Sequence, residues 1–244
     1  MTEPKRIGRF LFADKAGFLQ ADVSKENISS EWMPALDFIV ESLRRAESVQ
    51  SIYIRGSIPR GLAIAGTSDA DFIYISEFEN ESLEKEIAKT VAINFPIVTK
   101  VELARIDQAK LSRIGKGSRR RPYYHMLLKT QSLCLAGNDI NREILPFKIG
   151  SDLASHIFSL KEEFVALPAM IAEDIRLGES PRRAIQWFSR RLVRSGLEVT
   201  LNRADRFTRD LYLCYEQFSD FYPRYSGSMY QVLNLPRFGG HVFQ

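Results

Sequence analysis

Apolar residues fall at helical spacing soon after Ser29 and Ser30, where Trp32, Leu36, Ile39, Val40 and Leu43 share a face while Glu41, Arg44, Arg45 and Glu47 lie on others. That pattern predicts an amphipathic helix capped by one of the two serines. The rhythm then shortens. Residues 51–55 and 70–76 are β-prone and separated by a Gly/Thr/Ser turn, so they are expected to be neighbouring strands. Residues 81–93 return to helical spacing through Leu83, Ile87 and Val91 and stop before Pro96, and a strand is expected over 97–106. A further helix is expected from Pro122 through 123–135, closed by the turn Gly137-Asn138-Asp139. Beyond Gly150 the strand signals largely cease. Helices are expected over 152–176, from Ser180 and Pro181 to about 203, and from Thr208 to just before Pro223. Residues 7–22 suit a small hairpin or an irregular arm. The pattern predicts an α/β lobe over 1–150, a small mixed sheet with flanking helices, followed by an all-α helical lobe over 151–244.

Composition narrows the class. The chain has 244 residues, 45% of them hydrophobic and 26% charged, which is the make-up of a globular protein. Its 34 Lys and Arg against 30 Asp and Glu leave a formal charge of +4. Cys134 and Cys214 lie far apart with no CxxC or Cys/His cluster around them, which points away from a disulfide framework or a structural zinc. The first nine residues are polar and no apolar run approaches the roughly 20 residues needed to cross a bilayer, so a cytoplasmic protein without membrane spans is expected.

The chemistry concentrates in residues 55–75, RGSIPRGLAIAGTSDADFIYI. A strand runs into the Gly56-Ser57 turn, then the basic step Arg60-Gly61, then Ser68-Asp69-Ala70-Asp71 at the head of the next strand. Asp69 and Asp71 stand at i and i+2, so on an extended backbone both carboxylates point to one side. Two anions so close call for a cation, and hard oxygen ligands on a strand suit Mg²⁺. Gly56 lacks a Cβ and Ser57 offers a hydroxyl, so backbone N–H groups of the turn can meet phosphate oxygens. Asp69 and Asp71 would otherwise simply cap a turn before a strand.

These residues resemble the nucleotidyltransferases of the DNA polymerase beta superfamily, whose signature is a Gly-Ser turn followed by Asp-x-Asp at a strand start. The resemblance covers residues 52–106 well and the helical half loosely, in the manner of stand-alone bacterial nucleotidyltransferases. It implies an α/β nucleotidyltransferase lobe with a third carboxylate on a neighbouring strand. Glu102 fits best, because Val101 and Leu103 alternate to the opposite face, and Asp107 is the fallback. An exposed edge residue paired with Lys100 is the plainer account of Glu102. The implied mechanism has Asp69, Asp71 and Glu102 hold two Mg²⁺ ions. An acceptor attacks the α-phosphate of an NTP, with ATP the expected donor, and pyrophosphate leaves. Gly56, Ser57 and Ser68 would contact the nucleotide, with Arg60 as a further anion contact.

Two basic features bear on the acceptor. Arg113, Lys116, Arg119, Arg120 and Arg121 form a run that could grip RNA or stay solvated. Arg183, Arg190 and Arg194 share a helical stripe with Trp187, opposite Ala184, Ile185, Phe188 and Leu192; Arg190 and Arg194 are candidate triphosphate contacts if that stripe faces a cleft. The acceptor is expected to be an RNA end, a protein or a hydroxylated small molecule. The basic features tilt towards a polyanionic or protein acceptor, and a homodimer is allowed. Two alternatives stay open: an enzyme similar to cyclic-oligonucleotide synthases or tRNA nucleotidyltransferases, and a nucleotide- or RNA-binding module without turnover. His125, His156 and His241 show no ligand spacing, and Thr208 with Asp210 reads as helix-end capping.

Overall fold

The computed structural model describes residues 6–112 and 123–235. Its elements in chain order are β1 (Leu11–Phe12), α1 (Met33–Arg44), β2 (Val49–Arg55), β3 (Ala70–Ser76), α2 (Glu81–Asn94), β4 (Val101–Ile106), α3 (Gln108–Ser112), α4 (Tyr123–Gln131), β5 (Ser132–Gly137), α5 (Leu160–Arg176), α6 (Arg182–Glu198), β6 (Arg206–Phe207), α7 (Leu211–Phe221) and α8 (Ser226–Asn234). The chain divides into two compact units, one formed by residues 21–147 and the other by the residues before 21 together with those after 147.

The first unit is built on a four-stranded sheet in the order β4-β3-β2-β5. β2 runs antiparallel to both β3 and β5, whereas β3 and β4 are parallel because α2 carries the chain back between them. The sheet is therefore mixed, as expected of the first lobe. Leu36, Ile39 and Leu43 of α1 and Ile87 and Val91 of α2 bury themselves against Ile52 and Ile54 of β2 and Phe72 and Tyr74 of β3. Side chains alternate along a strand, so Arg55, Asp71 and Glu102 project from the opposite face.

In the second unit α6 packs against α5, α7 and α8. Its inner stripe, Ala184, Phe188, Val193 and Leu197, is buried. A two-residue antiparallel pairing interrupts the all-helical character expected here: Leu11 lies opposite Phe207, and Phe12 opposite Arg206. Residues before 21 thus lie with the helices and not, as the expected 1–150 division has it, with the sheet. They are held there by Arg9 N donating to Asp210 Oδ2 at 3.0 Å and Thr208 Oγ1 donating to the Arg9 carbonyl at 3.0 Å. The arm itself turns at Gly17, with Ala13 bridged to Leu19, as a small hairpin does.

Several elements differ from the sequence pattern. The helix expected over 123–135 ends at Gln131, and Ser132–Gly137 is a strand, because the outer edge of β2 takes it as a hydrogen-bonding partner. The strand expected from 97 begins at Val101. Residues before it bond irregularly to the loop ahead of β3, with Thr99 N donating to the Ser68 carbonyl and Gly66 N to that of Ile97. The helix expected from 152 begins at Leu160, and α8 follows Pro223 where no helix is expected. Asp210 stands at the N-cap of α7 but makes no capping bond, since its carboxylate faces Arg9 and the Thr208 hydroxyl.

Candidate active site

Strand register assembles the site. Arg55 on β2 lies opposite Asp71 on β3, and Asp71 lies beside Glu102 on β4, so the three side chains form one row across the sheet. Arg55 Nη2 is 3.3 Å from Asp71 Oδ1, and Lys100 Nζ is 2.8 Å from Glu102 Oε1. Asp71 and Glu102 also share a side-chain hydrogen bond. Burial pushes the Asp71 carboxyl up to about 6, against the downward pull of the Arg55 guanidinium, while the charges of Glu102 and Asp69 add to the rise. Burial acts on Glu102 in the same sense, but the Lys100 ammonium outweighs it and holds that carboxyl below its ordinary value. Between the ordinary carboxylate range and about pH 6 a proton is therefore held on Asp71, where the two carboxyl groups face each other.

Gly56 fits this row closely. Its φ of +82° is a left-handed conformation, and a Cβ there would stand 2.6 Å from Asp71 Oδ2. The glycine thus both makes the turn and admits the carboxylate. Ser57 opens a short 3-10 turn over Ile58–Arg60, and its hydroxyl makes no capping bond. Two expected nucleotide contacts have partners within the protein. Arg60 Nε pairs with Asp22 at 2.7 Å, both side chains largely buried, so the guanidinium serves to pin residues 22–27 to the turn. Ser68 is fully buried and its Oγ accepts from Ile64 N at 2.8 Å, which closes the loop in front of β3.

Asp71 and Glu102 are hard oxygen donors at hydrogen-bonding distance, the donor set a divalent cation takes in place of a shared proton. Among the described residues no three Asp, Glu, His or Cys side chains are gathered closely enough to enclose a metal ion. Of the expected trio, Asp71 and Glu102 meet directly, and Asp69 lies near enough for its charge to act on Asp71. Asp107, the fallback, caps α3 through Ala109 N at 2.9 Å.

The second unit holds the other expected contacts. Arg190 is half-buried on α6, and Arg194 Nε donates to the Arg209 carbonyl at 3.3 Å. Arg209 Nη2 approaches His156 Nε2 at 3.3 Å. Burial drives the His156 imidazole down to about 2, helped by the charges of Arg209, Arg194 and Arg191, so it is neutral and can accept from Arg209. The expected arginine stripe is partly tied down: Arg183 pairs with Asp174 at 2.8 Å and Glu179 at 2.9 Å. Arg191, off that stripe, pairs with Glu163 and lies 4.6 Å over the Trp187 ring.

Sequence reasoning missed Arg55, although it immediately precedes Gly56; only the register of β2 against β3 shows that it faces Asp71. Arg209 and His156 carry no spacing signal at all. The basic run Arg113, Lys116, Arg119, Arg120 and Arg121 lies outside the described residues.

The chain matches no protein-family model and no curated protein. Among solved structures it is similar to the spectinomycin adenyltransferase AAD(9) from Enterococcus faecialis with ATP and spectinomycin, at 12% identity and a TM-score of 0.46, over 86% of this chain and 92% of that one. It is also similar to a tri-AMPylated Shewanella oneidensis HEPN toxin in complex with MNT antitoxin, at 19% identity and a TM-score of 0.29, over 59% of this chain and 98% of that one. No described helix is long and apolar enough to cross a membrane.

Proposed function

We propose that this protein is a divalent-metal-dependent nucleotidyltransferase that moves an NMP from an NTP, with ATP the donor, to an acceptor and releases pyrophosphate. The observation that carries this reading is the row of Asp71 and Glu102 meeting across β3 and β4 beside the Gly56-Ser57 turn. Asp71 and Glu102 would hold Mg²⁺, and Asp69, on the same side of the extended chain, would complete the set. The metal, when bound, neutralises charge on the transferring phosphoryl group. The chain's own groups do the rest. The Gly56-Ser57 turn presents an open backbone and a hydroxyl to phosphate oxygens, and Arg55 fixes one oxygen of Asp71. Arg190 and Arg194 are proposed as anion contacts, with Arg209 beside Arg194. The acceptor is an RNA end, a protein or a hydroxylated small molecule. We place the protein in the cytoplasm, in keeping with its two free cysteines.

The 2.8 Å pair of Lys100 with Glu102 favours a second reading, a nucleotide-binding module without turnover. One experiment separates the two: α-labelled NTPs incubated with Mg²⁺ and cell-extract RNA, protein and small-molecule fractions, with wild type against Asp71→Asn. Label in one fraction that the variant fails to deliver establishes transfer and its acceptor class. Nucleotide binding without transfer supports the module. Equal Mg²⁺-dependent nucleotide binding by both proteins overturns the metal assignment.

A further inference from the structure

Arg55 is more than a neighbour of the carboxylates. Its guanidinium ends the row Arg55, Asp71, Glu102, and only 29% of its side chain is exposed. Its Nε is closed off from solvent and has no hydrogen-bond partner among the described residues, so the side chain is held by its single 3.3 Å contact to Asp71 Oδ1 and by packing. Arginine keeps its charge at every working pH, so the row always carries one cation beside two carboxyl groups. A divalent ion entering at Asp71 and Glu102 meets that cation at close quarters. Even at the dielectric constant of water, a unit and a divalent charge about 6 Å apart repel by roughly a tenfold factor in affinity. A nucleotide triphosphate arriving with the metal offsets the repulsion with its own negative charge.

We propose that Arg55 is a built-in countercharge, a positioning residue that holds Asp71 while the metal is away and makes the site take metal together with nucleotide and not ahead of it. This rests on the metal site proposed above. Removing the charge tightens binding of the bare ion and weakens the coupling between ion and nucleotide, since that coupling is the ratio of metal affinities with and without nucleotide.

The test is calorimetric titration of the full chain with Mn²⁺, alone and at saturating ATP, above the carboxylate range of pH, with melting curves on the same samples. Wild type, Arg55→Gln, Arg55→Lys and Asp71→Asn are compared, and Arg55→Met, which keeps an apolar stem, replaces the Gln variant if that one does not fold. The expected result is bare Mn²⁺ binding on the order of tenfold tighter in Arg55→Gln, a correspondingly smaller gain from ATP, and a larger Mn²⁺-induced rise in melting temperature. Arg55→Lys should stay near wild type in coupling. If wild type binds Mn²⁺, Asp71→Asn does not, and Arg55→Gln binds equally or more weakly, the countercharge role is overturned and the metal site stands. If wild type and Asp71→Asn bind Mn²⁺ alike both alone and with ATP, both fall.

Discussion

Gly56 and Asp71 meet with no room between them for a side chain. Gly56→Ala would force both a left-handed alanine and a Cβ 2.6 Å from Asp71 Oδ2. We expect a loss of about 1–2 kcal/mol in stability, read by urea denaturation, together with at least a roughly tenfold loss of Mn²⁺·ATP affinity as Asp71 is displaced. The Asp71 proton gives a second expectation. Because its folded value is raised to about 6, the metal-free folded chain holds that proton more tightly than the unfolded chain does. Its contribution to stability is therefore present at acid pH and lost as pH rises through about 6. Melting curves should show this slope in metal-free wild type and lack it in Asp71→Asn, and Mn²⁺ affinity should fall as pH drops through the same window. At this scale the carboxylates and the Gly-Ser turn were legible because their chemistry is tied to local spacing. The protein partners of Arg60 and Ser68 carry no local signal: Arg60 pairs with Asp22, far upstream, and Ser68 turns inward to Ile64 N.

Elements with a strong period, α1, β2, β3 and α2, are legible in the sequence because each buries one face on the same core. β5 is not, since Leu133, Cys134, Leu135 and Ala136 suit helix or strand alike and the open edge of β2 decides. The late start of α5 has an equally distant cause. Glu198 of α6 is buried and accepts from Ser155 N, Ser155 Oγ, His156 N and Ile157 N, so the backbone at 155–157 is drawn around a carboxylate and cannot begin a helix. Glu198→Ala should cost about 3 kcal/mol by leaving those donors buried without acceptors. Denaturant titration measures this, and Glu198→Gln should recover part of the loss.

Along the chain, residues 21–147 form one unit and interrupt a second one drawn from the residues on either side of them. The sequence pattern placed the later boundary near 150 but could not show where the arm goes, because the pairing of Leu11 with Phe207 and of Phe12 with Arg206 joins two-residue strands too short to carry a period. Residues 21–147 expressed alone should melt cooperatively, since their core cluster lies within that span. Residues 148–244 alone should not, until a peptide of residues 1–20 is supplied; calorimetry of each piece and of the mixture checks both.

The bond from Thr208 to the Arg9 carbonyl spans 199 positions. On the ribosome the arm emerges early, then has to wait through synthesis of the whole sheet unit and most of the helices before its partners exist. A nascent chain stalled short of residue 206 would carry a finished sheet behind an untethered arm, and a protease added at that stage would clip the arm and spare the sheet. Residues 9–12 are made long before residues 206–208 and settle only after them.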